Sequence, residues 1–245
     1  MNRLSLLVLG ARSDIGLAIA HRFAKEGYDI QLAARNSKTL ENDKSDIELR
    51  YHVSVSLHEF DALQINSHEL FVNELPCLPA IAVCAVGLLT EQKECETDIS
   101  SMVRVIRSNF EGPSSIIAIL ANRFEKQGHG SLVGISSVAG DRGRASNYAY
   151  GSAKSGFTQF LSGLRNRLSN TGVKVITILP GFVATKMTEG LQLPAALTAS
   201  PKEVAEAVFN AVERKKDVIY VKSIWRIIML IIRNIPEAIF KRSNI

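Results

Sequence analysis

Three side chains in the stretch SSVAGDRGRASNYAYGSAKSG, residues 136–156, have the types and spacing of a proton-transfer device. Tyr150 and Lys154 are four residues apart, so a helix would put them on one face. An ammonium beside a phenol favours the phenolate, and the expectation is a Tyr150 pKa drawn down toward the working range. Such a phenol can protonate a ketone oxygen or deprotonate an alcohol. Ser137 stands thirteen residues before Tyr150, at the end of an apolar strand-like run, where its hydroxyl could polarise a carbonyl. Tyr148 has Ser152 rather than a lysine four residues on, and reads as packing or substrate-wall material.

A second chemical feature lies near the start. LLVLGARSDIGLAIA places Gly10 at the end of a strand and Gly16 in the first turn of a helix. Such a turn aims backbone N–H groups and the positive helix end at a phosphate. Asp14 either sits beside that phosphate or caps a helix starting at Ile15. After the second strand, LAARN offers Arg35, and Arg12 lies in the glycine turn. Two arginines here favour a ribose 2′-phosphate over a free 2′-hydroxyl, hence NADP(H) over NAD(H).

The elements that must position these groups follow from hydropathy. Strand-like runs are expected at 4–9, 28–34 (YDIQLAA), 47–53 (IELRYHV), 80–86 (AIAVCAV), 131–137 (SLVGISS), 173–180 (VKVITILP) and 217–221 (DVIYV). Helical patterns are expected at 15–26, 98–109, 114–126, 148–169 and 200–214. Strands separated by helices imply a parallel sheet covered on both faces. The reading is one doubly wound α/β Rossmann domain with a seven-stranded parallel sheet over residues 1–221. An amphipathic basic tail, 222–245, either packs on the domain or lies at a membrane surface.

Composition agrees. The chain has 245 residues, 46% of them hydrophobic, enough for a large core. The net charge of +5 is concentrated in the tail, where Lys222, Arg226, Arg233, Lys241 and Arg242 face one acid, Glu237. A nearly neutral body argues against nucleic-acid binding. Cys77, Cys84 and Cys95 include no Cys-x-x-Cys pair, so neither a disulfide framework nor a metal site is expected, and a reducing cytoplasmic setting is. The longest apolar run of the tail, IIMLII, is six residues, against the ~20 that cross a bilayer. Its place is therefore cytoplasmic, free or peripheral at the inner face of the membrane.

In order, the glycine turn, Asn109, Ser137, Tyr150 and Lys154 resemble the short-chain dehydrogenase/reductase family, over nearly the whole chain. Leu9, Gly10, Asp14 and Gly16 match the four named positions of that family's Thr-Gly-x-x-x-Gly-x-Gly turn, with Leu9 and Asp14 departing from it. CAVG, Cys84 to Gly87, corresponds to its Asn-Asn-Ala-Gly segment, and PGFVAT, Pro180 to Thr185, to its Pro-Gly-x-Val-x-Thr segment. The resemblance implies a cofactor set of Gly10, Arg12, Ser13, Asp14, Ile15, Gly16, Arg35, Asp61, Ala85, Gly87, Tyr150, Lys154, Pro180, Gly181, Val183 and Thr185. It implies that Asn109, at a helix kink, relays protons through water to Lys154. It implies too a homodimer or tetramer.

Within the family, SSVAGDRGRASNYAYGSAKSG, AVCAVGLLTEQ and the ending RIIMLIIRNIPEAIFKRSNI resemble the branch that supplies the reductase half of decaprenylphosphoryl-β-D-ribose 2′-epimerases. That branch implies a polyprenyl-phosphate-linked 2-keto pentofuranose, a flavin-dependent oxidase partner and a place in cell-wall polysaccharide synthesis. Arg142 and Arg144 would then bind a substrate phosphate, or else are solvated loop charges. Two other readings stay open: a general 3-oxoacyl or small-ketone reductase, and a non-catalytic nicotinamide-binding sensor.

Overall fold

The structure, a computed structural model, describes residues 3–243. The outermost two residues at each end, including the last two of the predicted tail, lie outside the described residues.

The core begins with β1 (Ser5–Leu9), which lies between β2 and β4 in the sheet. Successive strand residues point to opposite faces. Leu6 and Val8 therefore enter one hydrophobic core and Leu7 and Leu9 the other, all four fully buried. This is why the run is apolar throughout rather than alternating. α1 (Asp14–Ala24) covers the first face with Ile19 and Phe23. β2 (Asp29–Ala34), α2 (Glu41–Tyr51), β3 (Val55–Glu59), α3 (His68–Asn73) and β4 (Ile81–Cys84) follow. Next come α4 (Gln92–Thr97), α5 (Ile99–Ile106), a π-helical turn (Arg107–Glu111) and α6 (Gly112–Gln127). β5 (Gly130–Ile135), α7 (Tyr148–Arg167) and β6 (Val173–Leu179) come next. The two-residue strands β7 (Phe182–Val183) and β8 (Thr198–Ala199) pair with each other in a small second sheet. α8 (Pro201–Glu213), β9 (Val218–Tyr220), α9 (Ile224–Asn234) and α10 (Glu237–Phe240) complete the chain.

The main sheet is parallel, in the order β3-β2-β1-β4-β5-β6-β9. This is the predicted seven-stranded Rossmann-like architecture. The order reverses between β1 and β4, which opens a crevice at the carboxyl ends of the strands, where such sheets bind ligands. α6 and α7 cover the second face through Ile116, Leu120, Phe124, Phe157 and Leu161.

One strand differs from the sequence expectation. IELRYHV, residues 47–53, is not the third strand; Ile47 to Tyr51 end α2, and Ile47 is that helix's buried side chain. The strand is Val55–Glu59, at the sheet edge, where only Val55 is fully buried. Among the described residues no helix is long and apolar enough to cross a membrane.

Candidate active site

The carboxyl end of β1 runs directly into the glycine turn. Gly10 has φ +85°, a left-handed conformation that costs glycine little. A side chain there would also sit 2.9 Å from the Ala85 backbone. A Cβ on Gly16 would lie 2.7 Å from the Gly10 carbonyl, so both positions require glycine for close packing. The helix cap is Ser13, whose Oγ accepts from the Gly16 N–H at 3.0 Å; Asp14 is not the cap, in contrast to one of the two readings above. The Asp14 carboxylate instead accepts the Lys186 N–H at 2.7 Å, tying the segment after PGFVAT to the start of α1. Leu9 fills core space where the family pattern has a hydroxyl.

A cavity of about 400 Å³ opens beside this turn. Arg12, Arg35, Arg104 and Lys186 line it, with Asp61 as the one acid. Arg12 and Arg35 are exposed, and the Arg12 guanidinium donates to the Arg35 carbonyl at 3.3 Å. The loop after Arg35 is held by Glu59, which accepts the N–H groups of Asn36 (2.7 Å) and Ser37 (2.8 Å). These bonds hold the Glu59 carboxyl below its usual range. Sequence reasoning missed Glu59; its position at the end of the third strand was masked by the misplaced strand. Asp61 sits in the cavity wall, its carboxylate accepting the Leu63 N–H at 3.0 Å. The glycine turn and the cations suit the phosphates of a nicotinamide dinucleotide. Among the described residues there is no cluster of three or more His, Cys, Asp or Glu able to hold a metal.

Gly87 joins this cavity to the proposed chemistry. A Cβ there would lie 3.1 Å from Asn109 Oδ1 and 3.5 Å from Lys154 Nζ. Asn109 is fully buried in the π-helical turn, a distortion often found at functional sites. Its Nδ2 donates to the carbonyls of Leu88 (2.7 Å) and Val105 (2.9 Å), and its Oδ1 accepts the Leu88 N–H at 3.3 Å. The side chain thus clamps the loop after β4. Cys84, in place of the family's first asparagine, is fully buried, and burial pushes its thiol up to about 11.

Ser137, Tyr150 and Lys154 come together where β5 ends and α7 begins. Lys154 is 3% exposed, and its Nζ donates to the Ile135 carbonyl at 3.0 Å. Burial lowers its pKa to about 8. The ammonium lies 5.8 Å from the centre of the Tyr150 ring. Burial pushes the Tyr150 phenol up to about 12, with the Ser137 hydroxyl pulling the other way. The expected lowering by Lys154 is therefore not what the protein alone displays. The lysine itself is desolvated, and burial dominates the Tyr150 phenol. Ser137 Oγ accepts the Ala139 N–H at 3.1 Å. Ser136 holds α7 against β5, donating to the Lys154 carbonyl at 3.0 Å. Gln92 accepts the Ala149 N–H at 3.0 Å and so secures the start of α7. Sequence spacing gave no sign of either.

The remaining predicted residues separate. In PGFVAT, the Pro180 carbonyl accepts the Val138 N–H at 3.0 Å, linking this segment to the Ser137 loop. Gly181 lies under Trp225, whose ring would be 2.0 Å from a Cβ there. Val183 is buried in β7, and Thr185 caps a short helical turn with Thr188. A second hollow of about 740 Å³ lies along this segment, between Asp14, Thr185 and Pro201.

Arg142 departs from the expected phosphate ligand. It donates to the carbonyls of Ile232 (3.0 Å), Arg233 (3.1 Å) and Ile235 (2.6 Å) and to Glu237 (2.8 Å). The carbonyls left open at the end of α9 have taken its donors. Arg144 is half-buried against Met229 Sδ at 3.7 Å, and its Nε has no partner. Burial lowers its pKa, and Asp141 opposes this. Tyr148 is 45% exposed and donates to Glu96 at 3.3 Å, so it is not packing material.

Comparison with known proteins agrees with the family but does not bear out the epimerase branch, since similar relatives carry the names of uncharacterized oxidoreductases. The family model described as short chain dehydrogenase matches residues 5–195. An uncharacterized oxidoreductase of Mycobacterium tuberculosis is 36% identical over 240 residues, covering 97% of this chain and 96% of that one. An NADP-dependent 3-hydroxy acid dehydrogenase of Schizosaccharomyces pombe is 26% identical, with 88% and 89% covered. A short-chain dehydrogenase of Sphingobium yanoikuyae, solved in complex with NADPH, superposes with a TM-score of 0.81 at 23% identity, covering 96% and 97%.

Proposed function

Because the chain belongs to the short-chain dehydrogenase/reductase family, we propose that it is an NADPH-dependent ketoreductase acting on a lipid-linked keto-sugar. The observation that carries the reductase reading is the convergence of Ser137, Tyr150 and Lys154 beside Gly87 and the cavity next to the glycine turn. Gly10, Gly16, Arg12, Arg35, Asp61 and the PGFVAT segment would hold the cofactor. When bound, its nicotinamide supplies hydride to the carbonyl carbon.

The rest is done by side chains of this protein. Ser137 holds the carbonyl oxygen, and Tyr150 donates its phenolic proton to that oxygen. A phenol pushed up to about 12 is protonated at neutral pH, which suits a proton donor in the reducing direction. Lys154, with a pKa near 8, can resupply a proton within the physiological range. Asn109 keeps the Leu88 loop in place beside the lysine. Arg12 and Arg35 favour NADPH, as do the Sphingobium and Schizosaccharomyces relatives.

The keto-sugar assignment rests on the sequence resemblance of three segments, with a flavin-dependent oxidase supplying the ketone. Arg144, with an unpartnered Nε beside the Ser137 loop, is the remaining candidate for the substrate's phosphate. A second reading, reduction of a 3-oxo acid or its thioester, is favoured by the yeast relative. Exposed Ile99 (63%), Val103 and Phe110 support a homo-oligomer through α5 and the π-helical turn. The test is ketone-dependent oxidation of NADPH and NADH, with a prenyl-phosphate 2-keto-pentose and 3-oxoacyl thioesters as substrates. Turnover on the first alone supports the proposal. Turnover on the second alone selects the alternative, and cofactor binding without turnover identifies a sensor.

A further inference from the structure

α9 is apolar almost all the way round. At ~100° per residue, Trp225, Ile228, Met229 and Ile232 share one side, which packs on Val138, Leu179, Phe182 and Leu197. Ile224, Ile227, Leu230 and Ile231 share the other side and are 43%, 57%, 63% and 62% exposed. Beyond Pro236, Ile239 on α10 is 62% exposed. Single exposed aliphatics are ordinary, but a run of five along one terminal segment is a patch. The isoleucines that recur at helical spacing in the tail, Ile224, Ile227, Ile228, Ile231, Ile235 and Ile239, thus do not share one face. Ile228 turns inward, and three of the others turn out on the helix.

The exposed charges beside the patch are basic, and Asp141, which faces Arg233, is bonded to Tyr220. Arg226 and Arg233 follow one edge of α9, and Lys241 and Arg242 follow α10, all exposed. Glu237 is the single acid from 222 to 243, and it is paired with Arg142 at 2.8 Å. Asn234 turns its amide back to the Leu230 carbonyl at 2.7 Å. A second copy docked through this same face would set Arg226 and Arg233 near like charges, while Glu237 and Asp141 are already engaged by Arg142 and Tyr220. An anionic lipid surface answers both features, with acyl chains for the aliphatic strip and phosphates for the guanidinium edge.

We propose that the outer face of α9, continued by α10, docks this protein on an anionic membrane. At ~1.5 Å per residue the eleven residues of α9 reach about 16 Å, so the helix lies in the interface rather than spanning it. The inner face ties the docked helix to the site: Trp225 covers Gly181, Met229 and Ile232 cluster with Val138 beside Ser137, and Arg142 binds the end of α9. The mouth of the cleft is therefore held at a fixed height above the lipid. The inference rests on the exposed face and its charge, not on the identity of the substrate.

The test is co-sedimentation of the full chain with phosphatidylglycerol-containing vesicles and with pure phosphatidylcholine vesicles. Ile227→Glu/Ile231→Glu and Arg226→Glu/Arg233→Glu are compared with wild type. Turnover of a water-soluble ketone and mass by light scattering are followed in parallel. The expected result is binding to anionic vesicles that weakens in salt and drops about tenfold or more in each variant, with soluble turnover and mass unchanged. Absence of wild-type binding to anionic vesicles, equal binding to both lipids or unchanged binding in the variants would overturn the proposal. A fall in mass in the Ile227 variant would overturn it in favour of a subunit contact.

Discussion

Lys154→Met should stabilise the cofactor-free protein at neutral pH while removing a group the reaction needs. Lys154 is 3% exposed, no salt bridge answers it, and one backbone carbonyl, that of Ile135, accepts from its ammonium. Burial lowers its pKa from 10.5 to about 8. At ~1.4 kcal/mol per pH unit, holding the charge in the fold costs about 3 kcal/mol. Below pH 8 folded and unfolded chains both carry the proton, and the cost is fully present. As pH rises from 8 to 10.5 the folded chain releases its proton first, and stability increases. Methionine has similar length and no charge, but it leaves the Ile135 carbonyl unpaired at a cost of ~1–2 kcal/mol. The variant should therefore be more stable than wild type by about 1–2 kcal/mol at pH 7. That gap should shrink by about 2 kcal/mol by pH 9.5, as the wild-type lysine discharges. Tyr150 and Cys84 titrate in both proteins and largely cancel in the difference. Urea unfolding at the two pH values, without cofactor, measures it. A gap that stays constant between pH 7 and 9.5 would refute the claim that Lys154 is a desolvated cation, and with it the proton-supply role.

The other outcomes concern the ring pair, the cofactor and the tail. Tyr150→Phe should lower kcat at least about 100-fold with cofactor binding retained, by loss of the proton donor; Tyr148→Phe, on an exposed ring bonded to Glu96, should stay within about twofold. Equal losses in steady-state assays would contradict this division. Arg35→Asp should raise the KM for NADPH about tenfold or more while leaving that for NADH nearly unchanged, by loss of a charge-assisted phosphate contact; matching shifts for both cofactors would make Arg35 a surface residue. Gly181→Ala should cost ~1–3 kcal/mol by overpacking, because its Cβ meets the Trp225 ring at 2.0 Å. Trp225 is the single tryptophan, so a red shift of its emission should accompany the loss, and unaltered emission with unaltered stability would mean α9 does not press on the site.

The fold class was legible because its signals are local. A run such as Leu6 to Leu9, apolar at every position, fits a strand buried on both faces, and Gly10 after it fits the turn that follows. The Tyr150–Lys154 pair was legible because helical spacing fixes which residues share a face. Other features depend on neighbours far away in sequence. Ile47 to Val53 alternates like a strand, yet the strand is Val55–Glu59, because an edge position next to β2 tolerates polar residues that a central strand would not. Spacing placed the lysine beside the tyrosine; burial among the ends of β4, β5 and α7 decided that the lysine's pKa falls and the tyrosine's rises. Arg142 reads as a free loop cation until α9, ninety residues later, presents its open carbonyls. The tail shows the division most plainly. Its sequence determines an amphipathic basic helix with a broad apolar face. Which side is buried is decided by the hollow at Gly181, where the missing side chain leaves room for Trp225, and that contact turns Ile227 and Ile231 outward.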